Sequence, residues 1–137
     1  MNKKMTTFLD SNIWIYALNQ SQDIKKHQIA NHIATQTGLY LSTQVINEVC
    51  VNLIKKANFQ ENQIQNLIQG FYQIHNIIEL DLNILLTAST LRTKYFFSFW
   101  DSLIIASALS ANVNQLYSED MQHGLIVEGL QIINPFI

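Results

Sequence analysis

The chain has 137 residues, a formal net charge of −2, 48% hydrophobic and 10% aromatic residues, and only 13% charged residues. That length suits one domain with a real core, and that hydrophobicity excludes a disordered chain. The charged share is about half the roughly 25% of an ordinary globular protein; 14 Asn and 13 Gln make the surface polar but weakly charged, and no global basic field argues for nucleic acid.

Thr6 to Leu9 is a short β-prone run that stops at Asp10, and Asp10 or Ser11 can cap a helix reaching Leu18. Asp23 opens a second helix to about Thr37, closed by Gly38. Leu39-Tyr40-Leu41 reads as a strand, followed by a helix capped at Ser42 or Thr43 and running to Lys56. Gln60 to His75 is a further helix, with Ile64, Leu67, Ile68, Phe71 and Ile74 in register for a core or an interface. Asn76 to Leu80 is a strand, Asp81 caps a helix to about Tyr95, and Ser98 caps one to Ala111. Gln115 to Ser118 and Leu130 to Ile133 complete the strands, and Asn134 and Pro135 close the pattern. Strands alternating with helices of this length predict an α/β fold with a mostly parallel sheet of about five strands, helices on both faces, and one domain over residues 1–137. In such sheets ligands gather beyond the carboxyl ends of the strands.

The scarce acids are placed unusually. Asp10, Glu48, Asp101 and Asp120, four of only 10 Asp and Glu, each stand at or beside the end of an apolar segment. Withdrawing carboxylates from water is costly unless a counter-charge compensates, and a shared divalent cation compensates well. Each acid also has a bland role. Asp10 can be an N-cap, Asp101 completes a capping-box spacing with Ser98, Asp120 suits a turn, and Glu48 borders the apolar arc of Val45, Ile46, Val49, Cys50 and Leu53. Trp100, beside Asp101, is expected to pack and set the approach angle of its helix.

Competing sites are weak. His27 and His32 are five apart rather than four, and one cysteine, Cys50, excludes a Cys/His zinc cluster and an internal disulfide; Cys50 is expected to be a small core residue. The four glycines form no phosphate-binding loop, and Ser11, Ser42 and Ser102 lack a nucleophile elbow. All-oxygen ligation points to Mg²⁺ or Mn²⁺. The lysine pairs Lys3-Lys4, Lys25-Lys26 and Lys55-Lys56, with Arg92 and Lys94, read as solvated helix ends or as scattered phosphate contacts. No signal peptide is expected, and the uncharged stretch from Ser102 to Ser118 is too polar and short to span a bilayer, so a soluble protein of a reducing cytoplasm is expected.

Phe8-Leu9-Asp10-Ser11-Asn12-Ile13-Trp14-Ile15-Tyr16-Ala17 resembles the opening of PIN-domain proteins, VapBC-type toxins in particular. Ser42-Thr43-Gln44-Val45-Ile46-Asn47-Glu48, Phe97-Ser98-Phe99-Trp100-Asp101-Ser102-Leu103-Ile104, Tyr117-Ser118-Glu119-Asp120-Met121-Gln122-His123-Gly124 and the closing Ile132-Ile133-Asn134-Pro135-Phe136 extend the resemblance in order over essentially the whole chain. It implies a PIN-like α/β/α sandwich and a Mg²⁺- or Mn²⁺-dependent ribonuclease, the toxin of a toxin–antitoxin pair, acting on structured RNA such as tRNA. Carried over, Asp10, Glu48, Asp101 and Asp120 hold the metal and perform the hydrolysis. Asn12 and Ser118 orient carboxylates, and Glu119 is an additional acid beside the fourth position. The resemblance also implies a small antitoxin partner that enters the acidic groove, and a homodimer. A PIN-fold nuclease outside a toxin pair, acting in RNA processing or on DNA, and a non-catalytic interaction module are the alternatives.

Overall fold

The computed structural model describes residues 5–137; the Lys3-Lys4 pair lies outside them. β1 (Thr7–Leu9) leads directly into α1 (Ser11–Leu18), because the Asp10 carboxylate accepts the Ser11 N–H and caps the helix. Asp23 caps α2 (Ile24–Ala34) through the Lys26 N–H. The chain then passes to β2 (Tyr40–Ser42) and α3 (Thr43–Ala57), where the Ser42 hydroxyl accepts from Val45 N–H. Asn58 ends α3 with φ 55°, a left-handed conformation that Asn tolerates better than most residues.

A Gln60–Gln63 capping box opens α4 (Glu61–Ile74), which runs into β3 (Asn76–Ile78). Asp81 caps α5 (Leu82–Lys94) and Ser98 caps α6 (Phe99–Ser110). β4 (Gln115–Tyr117), β5 (Ile126–Val127) and β6 (Leu130–Ile133) complete the described elements.

The sheet has six strands in the order β3-β2-β1-β4-β6-β5; every pairing is parallel except β5 with β6. The sixth strand is the one the pattern of alternation does not predict. It forms because Glu128 and Gly129 both take positive φ, 50° and 89°, and fold Ile126-Val127 back on Leu130 in a two-residue hairpin.

From β1 the chain first builds outward through β2 to β3, then crosses back to place β4 on the other side of β1. Right-handed crossovers put α1 to α4 on one face and α5 and α6 on the other. The reversal leaves a crevice where β1 and β4 end, and Asp10 and Ser118 stand at those two strand ends.

The core fills both faces of the sheet. Phe8, Leu9, Leu41, Leu116 and Ile132 are fully buried on the strands, and Ile13, Val45, Val49, Leu53, Ile104 and Ile105 meet them from the helices. Cys50 is buried among them as a free thiol. α6 explains the long uncharged stretch, since Ser102 to Ala108 are all buried. Its polar members stay satisfied: Ser102 Oγ accepts from Arg92 and donates to Phe99 O, and Ser107 Oγ donates to Leu103 O. On α4, Ile64 and Phe71 enter the core while Ile74 is exposed. Among the described residues no helix is long and apolar enough to cross a membrane.

Candidate active site

Asp10 is the anchor of the crevice. It is 6% exposed, and its main-chain N–H donates to Tyr117 O at 3.0 Å, tying the end of β1 to the end of β4. Its Oδ1 accepts the Ser11 N–H at 2.7 Å, and its Oδ2 accepts the Ser118 hydroxyl at 2.9 Å. Ser118 is fully buried, so this carboxylate has one fixed orientation.

Asp120 is held from the first turn of α1. Asn12 Nδ2 donates to Asp120 Oδ2 at 2.7 Å, joining the first turn of α1 to the loop after β4. Glu48, exposed on α3, accepts from Gln44 Nε2 at 3.4 Å. Asp101, half-buried in the first turn of α6, has its N–H on the Ser98 hydroxyl at 3.1 Å. The strand edge, α3, α6 and the loop after β4 therefore each contribute one acid.

The acids feel one another. Burial raises the pKa of Asp10 above the ordinary carboxylate value; the Ser11 and Ser118 hydrogen bonds oppose that rise, and the charges of Asp101 and Asp120 add to it. Glu48 is raised by loss of water and then by the charges of Asp10 and Asp101. Asp101 is raised by burial, with Asp120 adding to it and Ser98 opposing it. Among the described residues none of these four carboxylates has an ion-pair partner. The structure thus places the four acids in one electrostatic neighbourhood.

Glu119 faces elsewhere. Its Oε1 accepts from Lys26 Nζ at 2.6 Å and from the Tyr16 hydroxyl at 3.3 Å. Lys26 also lies 5.2 Å from the Tyr16 ring centroid and 5.6 Å from that of Phe136. Of the two consecutive acids, only Asp120 reaches Asn12 and acts on Asp10 and Asp101.

Two clefts flank Glu48. One, about 450 Å³, is lined by polar groups that include Asn12, Asn47, Asn52, Lys55 and Lys56. The other, about 400 Å³, lies between Thr43, Gln44, Asn47, Glu48, Leu80 and Trp100. Trp100 does not pack as its neighbourhood in sequence suggests. It is 62% exposed, because its helix begins beside the crevice and turns its first residues outward. Its ring meets the Phe99 edge at 5.3 Å, and Arg92 lies 4.4 Å from the Phe99 centroid.

Gln44 is the residue that sequence reasoning missed. It is almost fully buried, and its Nε2 bridges α3 to α6 by donating to Glu48 Oε1 and Trp100 O, each at 3.4 Å. Its i, i+4 spacing to Glu48 was a signal, of the weak kind that polar pairs on helices give.

The family model for the PIN domain matches residues 7–124. The chain belongs to the PIN domain family. The fold of this PIN domain is similar to that of a toxin–antitoxin complex from Klebsiella pneumoniae, with a TM-score of 0.70 at 21% identity over 95% of this chain and 98% of that one. It is similar also to the sarcin-ricin loop cleaving toxin VapC20 of Mycobacterium tuberculosis, with a TM-score of 0.68 at 15% identity over 84% of this chain and 90% of that one. FitAcB from Neisseria gonorrhoeae gives a TM-score of 0.66 at 14% identity over 96% and 99% of the two chains. A comparison with curated protein sequences gives no match.

The donor set of this PIN domain fits a hard divalent cation in its chemistry: carboxylate oxygens whose mutual repulsion a cation relieves, with no imidazole or thiolate among them. Among the described residues, no three His, Cys, Asp or Glu side chains stand together closely enough to hold a metal ion as they are placed. The acids are neighbours through their fields rather than a rigid ligand shell.

Proposed function

We propose that this PIN domain is a Mg²⁺- or Mn²⁺-dependent endoribonuclease, the toxin of a toxin–antitoxin pair, which hydrolyses phosphodiester bonds of structured RNA such as tRNA. The observation that carries the reading is the convergence of four carboxylates without ion-pair partners among the described residues, at the switch point of a PIN fold. Asp10, Glu48 and Asp101 would hold one cation, and Asp120 would complete that site or help to hold a second. A divalent cation bound there supplies Lewis acidity toward the phosphate and lowers the pKa of a bound water.

The chain's own residues prepare that chemistry. The Ser11 N–H and the Ser118 hydroxyl fix the Asp10 carboxylate, and Asn12 fixes Asp120, so neither must reorganise when substrate arrives. Gln44 holds Glu48 against the start of α6, which keeps the α3 acid and the α6 acid in step. Lys55 and Lys56, in the cleft on one side of Glu48, offer phosphate contacts along the RNA backbone. A net charge of −2 gives weak non-specific RNA affinity, so selectivity rests on substrate shape or an unpaired loop.

Toxin–antitoxin complexes among the similar folds support a small antitoxin as partner, and VapC20, named for cleaving the sarcin-ricin loop, supports RNA as substrate. A homodimer and a cytoplasmic location belong to the same reading. Incubating purified protein with total cellular RNA and Mg²⁺ or Mn²⁺, beside an Asp10→Asn variant, tests it. Cleavage by the wild type alone is expected, and equal cleavage by both proteins overturns the assignment.

A further inference from the structure

The cleft between α3 and α6 holds two features that the proposed hydrolysis does not use. One is a buried acceptor. Gln44 is 8% exposed, lines the cleft, and its Oε1 has no hydrogen-bond partner among the described residues. A flipped amide does not remove the vacancy, because it would set the oxygen against two acceptors, Glu48 Oε1 and Trp100 O, which now receive the Nε2 protons. The oxygen therefore stays as an acceptor awaiting a donor, a costly state for a buried group.

The other feature is an aromatic face left in water. The Trp100 indole is 62% exposed at the cleft rim and backed by Phe99, and Leu80 gives the cleft a second apolar wall. An open indole beside an unfilled acceptor, in a space of about 400 Å³, matches a flat ring with an N–H on its edge.

We infer that this cleft takes one unpaired nucleobase of the RNA, stacked on Trp100 with an amino or ring N–H donated to Gln44 Oε1. The inference rests on the nuclease reading above and deepens it, since it names what selects the cut position. Trp100 directly precedes Asp101, and Gln44 lies one helical turn before Glu48, so a nucleotide seated here lies beside the acids. Stacking tolerates any base, whereas the lone acceptor favours a base that turns a donor toward it. A guanidinium from a partner protein is the rival occupant. Glu48 also lines the cleft, but in the nuclease reading its charge is committed to the cation; the walls left to an occupant, Leu80 and the Trp100 indole, suit a neutral ring, so the base is favoured.

Two measurements test the inference. In the first, neutral nucleosides are titrated at millimolar concentration without divalent cation while tryptophan emission is followed. Saturable quenching is expected in the wild type and its loss in Trp100→Phe, where the buried Trp14 is the only remaining indole. Quenching by an arginine amide but not by nucleosides overturns the inference, as does nucleoside quenching that persists in Trp100→Phe. In the second, cut sites are mapped on a pool of single-stranded oligoribonucleotides with Mn²⁺. Gln44→Met keeps the volume and removes the acceptor together with the Nε2 donor that holds Glu48; it is expected to lower the overall rate and, separately, to flatten the preference at one position beside the cut by about threefold or more, and an unchanged preference overturns the inference. RNA cleavage without nucleoside quenching sinks the base pocket and leaves the nuclease standing; quenching without cleavage does the reverse.

Discussion

The two ends of α1 treat charge in opposite ways. At the Tyr16 end, ionisable groups are matched: Glu119 receives Lys26 and the Tyr16 hydroxyl, and on the other face of the helix the His75 ring accepts the Leu39 N–H while packing 5.1 Å from Trp14. At the Asn12 end, four acids share a neighbourhood with no cation paired to them among the described residues, and three have raised pKa values. Glu119 and Asp120 make the contrast sharpest, being consecutive in the chain yet opposite in setting. Matched charge serves to hold the fold. Unmatched charge opposes the fold and is retained where chemistry needs it.

The largest effect that can break this comparison is on activity. Asp120→Asn keeps a hydrogen-bonding side chain beside Asn12 but removes a charge from the cluster, and cleavage is expected to fall at least about a hundredfold, the rate equivalent of part of what a bound metal contributes. Glu119→Gln removes the neighbouring charge and is expected to change the rate by less than about threefold. Rates of the two variants on one RNA substrate decide the matter. Equal losses would show that the two ends of α1 are not functionally distinct.

A second effect is on stability. Asp10, Glu48 and Asp101 have raised pKa values, so the folded state holds their protons more tightly than the unfolded state does. Their contribution to stability is present at pH values below the ordinary carboxylate range and is withdrawn as pH rises through the raised values. At pH 7 the ionised cluster is a cost, which a cation offsets. Mg²⁺ or Mn²⁺ at about a hundred times its Kd is expected to raise the Tm by roughly 5–10 °C at pH 7. The increment is expected to shrink toward pH 4, and Asp10→Asn should lose it at pH 7 as well. Thermal unfolding with and without the cation measures both, and an equal increment in Asp10→Asn would remove that residue from the metal site.

How much of this was legible in the sequence follows from the range of the forces involved. Asp10 and Ser42 could be placed because helix caps are local: each must accept from a backbone N–H within three residues. The alternation of strands and helices fixed which acids fall at the carboxyl edge, for the same local reason. The pairing of Glu119 with Lys26 joins residues 93 apart, and no spacing rule reaches that far. The β5 hairpin was hidden because its turn is Glu128-Gly129 rather than the more recognisable Asn-Gly, and because two residues show no alternation. Trp100 misled because large aromatics are mostly buried, and only the position of α6 at the crevice leaves this one open.

The matched end offers a smaller test. Glu119→Gln takes the charge from an ion pair whose two side chains are 31% and 22% exposed, and which also orders Tyr16. A drop in Tm of only a few degrees is expected, because partly solvated pairs contribute little. Lys26→Met is expected to cost more than Glu119→Gln. It leaves the Glu119 charge without its partner, with Oε2 already lacking one. Thermal unfolding of the two variants gives the order, and the reverse order would mean that Lys26 rather than Glu119 is the desolvated member.

The smallest effect concerns His75. Burial lowers its pKa below the ordinary histidine value, and the geometry agrees, since Nδ1 must be unprotonated to accept the Leu39 N–H at 3.2 Å. The folded state therefore binds fewer protons here than the unfolded state does. Stability from this site is present above about pH 6.5, the unfolded value, and is lost as pH falls through the lowered folded value. Protonation would also release the start of β2 from the end of α4. His75→Asn keeps an acceptor near the Nδ1 position and cannot titrate, so its Tm should fall less than that of the wild type between pH 6.5 and 5. Parallel slopes for the two proteins would assign the acid sensitivity of this face to another group and leave the Trp14–His75 contact as packing alone.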